Sequence, residues 1–222
     1  MPIIRNTLPS RGLLKDPKRL APLLLAVLAL LLWWGWPRSV RHLQPRPGPI
    51  VALGDSLTAG VGSETRRGFI AVLSSRLGVD IVNKGVPGDT TRGGLDRLEK
   101  DVLQLQPALV LVELGGNDFL QQRPLEETFS QLRQIVQRIQ AQGTPVLLIG
   151  VQSGLFGNKA GKHYKALARE LKTGFVPNLM SGIMTQADLK ADAIHPNDLG
   201  YEKVADRVEP ELRWMLRKMQ RL

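Results

Sequence analysis

Three side chains in this sequence could together move an acyl group: Ser56, Asp192 and His195. Acyl transfer needs a nucleophile, a base to take its proton, an orienter for that base, and donors for the oxyanion. Ser56 lies in Gly54-Asp55-Ser56-Leu57-Thr58, directly after the apolar run Ile50-Val51-Ala52-Leu53. A short apolar run ended by a turn signal reads as a buried strand, and open α/β sheets hold their ligands just past a strand's carboxyl end. Gly-Asp-Ser is equally compatible with a polar turn that caps a helix. His195 lies in Ala191-Asp192-Ala193-Ile194-His195-Pro196-Asn197, ahead of the last helix. One tight turn there would set the Asp192 carboxylate against the His195 ring, fixing its tautomer and stabilising the imidazolium. His163 begins a helix beside Lys162 and Lys165 and is expected to face solvent.

Oxyanion donors are available on neighbouring loops. Gly88, in Gly85-Val86-Pro87-Gly88-Asp89-Thr90-Thr91, has no side chain to keep its N–H from an oxyanion. Asn117, in Gly115-Gly116-Asn117-Asp118, offers an amide, and the N–H of Ser56 a third donor. Taken singly, each motif also reads as an ordinary turn or helix cap. Leu155 and Phe156, between Gly154 and Gly157, either line an acyl channel or pack on the core edge.

Other chemistries find little support. There is no Cys, hence no thiol nucleophile, disulfide or Cys-ligated metal. Asp55, Asp89 and Asp118 are scattered carboxylates without a His pair, so no metal site is expected. No phosphate-cradling G-x-x-x-x-G-K-[ST] occurs. The acyl chemistry itself needs no cofactor.

Positioning these groups falls to alternating elements. Helices are expected over Phe69–Leu77, Leu95–Leu105, Leu125–Gln142, His163–Leu171 and Leu199–Leu216, the last kinked near Pro210. Strands are expected from Ile50, then over Val79–Val82, Ala108–Leu114, Val146–Val151 and Phe175–Pro177. The resulting β-α alternation implies an α/β fold with a parallel sheet covered on both faces. A chain of 222 residues suffices for one such core.

The net charge of +10 is uneven. Residues 1–49 hold eight Lys/Arg against Asp16, and the remainder carries 22 bases against 19 acids. The folded part therefore lacks the basic stripe that nucleic acid requires, and Arg213, Arg217, Lys218 and Arg221 suit a helix C-terminus instead. Leu20 to Trp36 is 17 residues without a charge, with Trp33, Trp34 and Trp36 at one end and five Lys/Arg before it. At ~1.5 Å per residue it just spans a bilayer, so a transmembrane signal anchor is expected over 20–36, with a basic tail over 1–19. Pro37 to Pro49 reads as an extended linker, and 50–222 as the catalytic domain, periplasmic or otherwise extracytoplasmic. The alternative is a secreted protein after signal-peptide cleavage.

Together, the four motifs resemble the SGNH/GDSL hydrolase family. Gly54-Asp55-Ser56-Leu57-Thr58 is similar to its first block, Gly88-Asp89-Thr90 to its second, Gly115-Gly116-Asn117-Asp118 to its third and Asp192-x-x-His195-Pro196 to its fifth. The resemblance covers about residues 50–216. Leu111 to Asp118 and Leu132-Arg133-Gln134-Ile135 look most like the bacterial multifunctional acyl-CoA thioesterase, lysophospholipase and arylesterase group. It implies a three-layer α/β/α fold with a central five-stranded parallel sheet and a Ser56–Asp192–His195 triad. It also implies an oxyanion hole of Ser56 N–H, Gly88 N–H and the Asn117 side chain. That group usually carries a cleaved signal peptide, and no clear cleavage site is visible here. The expected function is hydrolysis of carboxylic esters or thioesters, lipid substrates included. Two other readings stand beside it: a carbohydrate or cell-wall O-acetyl esterase, and a non-catalytic binding module.

Overall fold

The computed structural model describes residues 39–65, 67–151 and 159–222. The elements follow the alternation expected from the sequence. They are β1 (Ile50–Gly54), α1 (Ser56–Ala59), α2 (Phe69–Leu77), β2 (Ile81–Gly85), α3 (Thr91–Asp101), β3 (Leu109–Glu113), α4 (Gly116–Leu120), α5 (Leu125–Ala141), β4 (Val146–Ile149), α6 (Lys159–Leu171), β5 (Gly174–Val176) and α7 (Asp198–Lys218). The five strands form one sheet in the order β2-β1-β3-β4-β5, and every pairing is parallel.

Strand alternation divides the core in two. Ile50, Ala52, Leu109, Leu111, Leu147 and Ile149 point to the face covered by α2 and α7. Val51, Leu53, Val110, Val112, Val146 and Leu148 point to the face covered by α3, α5 and α6. Each strand of the centre is apolar throughout because both of its faces are covered. This is the three-layer α/β/α arrangement. Phe69 on α2 is fully buried; truncating such a side chain to Ala costs about 3–5 kcal/mol.

Boundaries shift where polarity misleads. β2 begins at Ile81 rather than Val79 and runs through Asn83 and Lys84, because an edge strand buries only part of its surface. α3 starts at Thr91, not Leu95. Gly93 and Gly94 read as loop, but the buried Asp118 carboxylate accepts the Thr91 N–H at 2.8 Å and its hydroxyl at 2.6 Å. α6 starts four residues ahead of His163, and His163 is exposed but stacks on Phe129 at 5.0 Å. α7 runs through Pro210 without interruption. The buried stripe of Tyr201, Val204, Val208, Leu212 and Met215 continues across it, so packing outweighs the missing N–H.

Residues 39–49 contain no helix, in keeping with their prolines, yet they are packed against the domain. Val40 and Leu43 lie on the α2/α7-side core. The Arg41 N–H donates to the Lys172 carbonyl at 2.9 Å, and the Arg221 guanidinium donates to the Arg46 and Gly48 carbonyls at 3.2 and 3.0 Å. The segment thus reaches β1 along the amino ends of the strands. Among the described residues no helix is long and apolar enough to cross a membrane; the expected anchor over 20–36 lies outside them.

Candidate active site

Strand order brings the candidate loops together. β1 sits between β2 and β3, so the turns leaving their carboxyl ends are neighbours. The turn after β2 carries Gly88, that after β1 carries Ser56, and that after β3 carries Asn117.

Ser56 is the first residue of α1. Asp55 caps this one-turn helix by accepting the Leu57 N–H at 2.9 Å. The cap holds Ser56 at the rim, half-buried, with its hydroxyl facing the loop ahead of α7. His195 Nε2 stands 3.0 Å from Ser56 Oγ. Its Nδ1 stands 2.8 Å from Asp192 Oδ2. Asp192 Oδ1 accepts the N–H of Ile194 and of His195, both at 2.8 Å. These N–H groups, then the His195 ring, hold the Asp192 carboxyl down to about 2. A carboxylate on Nδ1–H leaves Nε2 as an acceptor for the serine hydroxyl.

The loop bearing this pair is stapled at both ends. Lys190 and Pro196 form an isolated antiparallel bridge, and the Ala191 N–H donates to the His195 carbonyl at 3.0 Å. Asn197 caps α7 through the Gly200 N–H at 3.0 Å, while its amide donates to the Asp188 carbonyl at 2.8 Å.

Gly88 has φ +81°, a backbone conformation favouring glycine. The adjacent Asp89 pairs with Arg97 at 2.7 Å, and Arg97 also donates to the Gly54 carbonyl at 3.0 Å. Arg97 therefore ties the Gly88 turn to the end of the nucleophile's strand. Asn117 Nδ2 donates to the Asp89 carbonyl at 2.8 Å and to Asp55 Oδ2 at 3.1 Å. The neighbouring Asp118 points away, into the core, and anchors α3.

Two carboxyls beneath the serine escape a reading by motif. Glu113 is fully buried at the end of β3, and its Oε2 accepts the Thr58 hydroxyl at 2.7 Å. Burial drives it well above the usual carboxylate range, and the facing Asp55 raises it further. Burial likewise pushes Asp55 up to about 6, against the Leu57 N–H and the Glu113 side chain, which favour its charge. Among the described residues Glu113 Oε1 has no hydrogen-bond partner. Two facing buried carboxyls resist being charged together, which is the direction both show. A lone acid in the otherwise apolar strand Leu109–Glu113 is the one signal the sequence offered.

A cleft enclosing about 80 Å³ opens over Ser56, Asn117 and His195. Its walls are Leu57, Phe119, Leu120, Val151, Met180, Met184 and Ile194. Leu155 and Phe156 lie outside the described residues. The arrangement can deprotonate a hydroxyl next to an apolar groove.

Comparison with known proteins agrees with this geometry. Residues 52–203 match the model of the GDSL-like Lipase/Acylhydrolase family. Esterase TesA of Pseudomonas aeruginosa is 34% identical over 178 residues, which span 75% of this chain and 89% of that protein. Thioesterase 1/protease 1/lysophospholipase L1 of Escherichia coli K12 is 33% identical over 181 residues, 78% of this chain and 84% of that protein. The crystal structure of TesA superposes with a TM-score of 0.70 at 35% identity, covering 76% of this chain and 99% of that one. With its Gly-Asp-Ser turn and its Asp-x-x-His loop both inside the matched region, the chain belongs to the GDSL-like Lipase/Acylhydrolase family and is an ester-bond hydrolase.

Proposed function

We propose that the protein is a serine esterase or thioesterase that works through an acyl-enzyme on Ser56, with His195 as base and Asp192 as its orienter. The observation that carries this is the line of contacts from Ser56 Oγ to His195 Nε2 at 3.0 Å and from His195 Nδ1 to Asp192 at 2.8 Å, at the mouth of an apolar cleft.

In the first half-reaction Ser56 Oγ attacks the carbonyl carbon while His195 Nε2 takes the hydroxyl proton. The charge moves to the carbonyl oxygen, which Ser56 N–H, Gly88 N–H and Asn117 Nδ2 receive. Asn117 shares the N–H of its longer bond, that to Asp55, with this oxygen and keeps the one to the Asp89 carbonyl. As the tetrahedral intermediate collapses, the bond to the leaving alkoxide or thiolate breaks, and His195 returns the proton to it. Water then attacks the acyl-Ser56 ester by the same route, releasing the acid.

The apolar lining supports substrates with an acyl chain longer than acetyl, of the ester, thioester or lysophospholipid type. A carbohydrate O-acetyl esterase would need a polar sugar-binding groove, whereas most of this wall is Leu, Met, Phe, Val and Ile. A p-nitrophenyl ester and acyl-CoA series of increasing chain length, with Ser56→Ala as control, tests the assignment. An optimum beyond acetyl and loss of turnover in Ser56→Ala are expected. Acetyl-only activity would replace the acyl-chain reading with the O-acetyl one, and full activity in Ser56→Ala would remove the nucleophile.

The proposed placement is a basic tail over 1–19, an anchor over 20–36, a linker over 37–49 and a catalytic domain over 50–222 on the outer side of the membrane. The uncharged run from Leu20 to Trp36 and its preceding bases support it. Digestion of the catalytic domain by protease added to spheroplasts is expected, and its protection would reverse the topology.

A further inference from the structure

In a parallel sheet with crossover helices, every such helix ends beside the amino ends of the strands, opposite the substrate cleft. Here that end is strongly cationic. Lys100 lies in the last turn of α3, Arg169 in the last turn of α6, and Lys172 just beyond it. Arg217 and Lys218 close α7. Arg41 arrives beside Lys172 through its N–H bond to the Lys172 carbonyl. All six side chains are exposed, and none is in an ion pair among the described residues. The nearby acids Glu99, Asp101 and Glu170 are taken up by Arg138, Arg97 and Arg133. Asp80 is the acid left open at that end. Two leucines are exposed there as well, Leu105 and Leu222, and Leu105 shares a shallow depression with Arg46 and Gly48.

The helix C-terminal dipole explains a base or two per helix. It does not explain why the chain enters here. Residue 39 joins the domain at this end, and the 38 residues before it hold six more bases and the uncharged run that stops at Trp36. Cations clustered next to an apolar segment are the chemistry that an anionic lipid surface recognises.

We infer that the strand-amino-end face, centred on Arg41, Lys172, Arg217 and Lys218, docks on an anionic lipid bilayer and so holds the catalytic cleft open to the solvent side. The face faces lipid headgroups, with Leu105 and Leu222 reaching the interface. The inference is independent of the triad assignment. It draws on the proposed anchor only for the direction from which the chain arrives.

The chain has no Cys, so single labels can be placed cleanly. Full-length protein carrying a fluorophore on Gln104→Cys, at the cationic end, or on Gln121→Cys, beside the cleft, is added to vesicles containing a headgroup nitroxide quencher. The vesicles are phosphatidylcholine alone or phosphatidylcholine with about a third phosphatidylglycerol. Quenching at position 104 and little at 121, only with the anionic lipid, is expected. It should fade at roughly 0.5 M salt, where the screening length falls to about 4 Å. Each cation reversed in Lys172→Glu, Arg217→Glu and Lys218→Glu should weaken docking about fivefold or more. Esterase activity on a soluble substrate should not change in these variants. Quenching at 121 in place of 104, equal quenching at both, or none at either overturns the inference. Flotation with the neutral vesicles reports the anchor separately: a chain that fails to float there but is quenched at 104 on anionic ones keeps the docking face and loses the anchor.

Discussion

The amide of Asn117 is braced by Asp55: Nδ2 of the first donates to Oδ2 of the second across 3.1 Å. The residue just before the proposed nucleophile thus holds the side chain proposed to receive the oxyanion, and its other oxygen caps the helix that displays Ser56. Asp55 is 2% exposed, so each bond it makes is shielded from water. Asp55→Asn keeps the volume but can turn a donor toward the Asn117 amide. It is expected to lower kcat about tenfold, near 1.4 kcal/mol of barrier, with KM little changed. Asn117→Ala should cost more, about 10²–10³ in kcat, as for other oxyanion donors. Steady-state kinetics on one ester reads both.

Glu113 gives a pH signature. Its carboxyl is raised in the folded state, so the penalty for charging it is absent in acid, where it is protonated both folded and unfolded. The penalty grows as pH rises above the ordinary carboxylate range, where the unfolded state ionises and the folded state resists. Glu113→Gln keeps an acceptor for Thr58 and a donor for Asp55 but cannot ionise. Its Tm is expected to match the wild type in acid and to exceed it increasingly toward alkaline pH. Parallel thermal melts across pH test this, and a constant difference would mean that Glu113 titrates as in water.

Asp192 works in the opposite sense. Its carboxyl is held at about 2, so its stabilising contribution is present above the ordinary carboxylate range and is lost as pH falls toward 2. The side chain is half exposed, at 52%, so its share of global stability is small. Catalysis is the sensitive readout. Asp192→Asn presents an amide N–H to His195 Nδ1 and forces the other tautomer; kcat is expected to fall by about 10³–10⁴ with Tm almost unchanged.

Arg97 is the brace of the Gly88 turn, with contacts to Asp89, Asp101 and the Gly54 carbonyl. Arg97→Ala leaves Asp89 without its cation at a site 9% exposed. A loss of about 3 kcal/mol is expected, together with reduced kcat because the Asp89 carbonyl positions Asn117. Denaturant melts and kinetics separate the two effects, and Arg97→Lys should recover part of the stability but less of the rate.

Gly62 lies against the loop of His195. A Cβ there would meet the Pro196 carbonyl oxygen at 2.5 Å and the His195 Cβ at 3.0 Å, and its φ is +92°. Gly62→Ala is expected to cost about 1–3 kcal/mol of strain and to push His195 from Ser56, lowering kcat. A variant of normal activity would show that the loop can move without penalty.

How far the sequence carried these results depended on chemistry and on distance along the chain. Ser56, Asp192 and His195 were singled out only by four motifs taken together, since each motif alone also reads as an ordinary turn, and the structure brings the three into contact. β1 was legible as an unbroken apolar run ended by a turn signal, and α2 and α5 because their burial is periodic. Glu113 and Arg97 were not, since the Glu113 contact to Thr58 and the Arg97 contact to the Gly54 carbonyl each span more than 40 positions and only the sheet order creates them. Met180 and Met184 in the cleft wall were also missed. In a loop without periodicity, apolar residues that line a groove look the same as those that fill a core.

Asp192 and His195 are carried by one short loop, while Ser56 opens the one-turn helix that follows β1. The proposed base and its orienter therefore shift together: a displacement of that loop would leave their own contact intact and lengthen only the one from Ser56 Oγ to His195 Nε2.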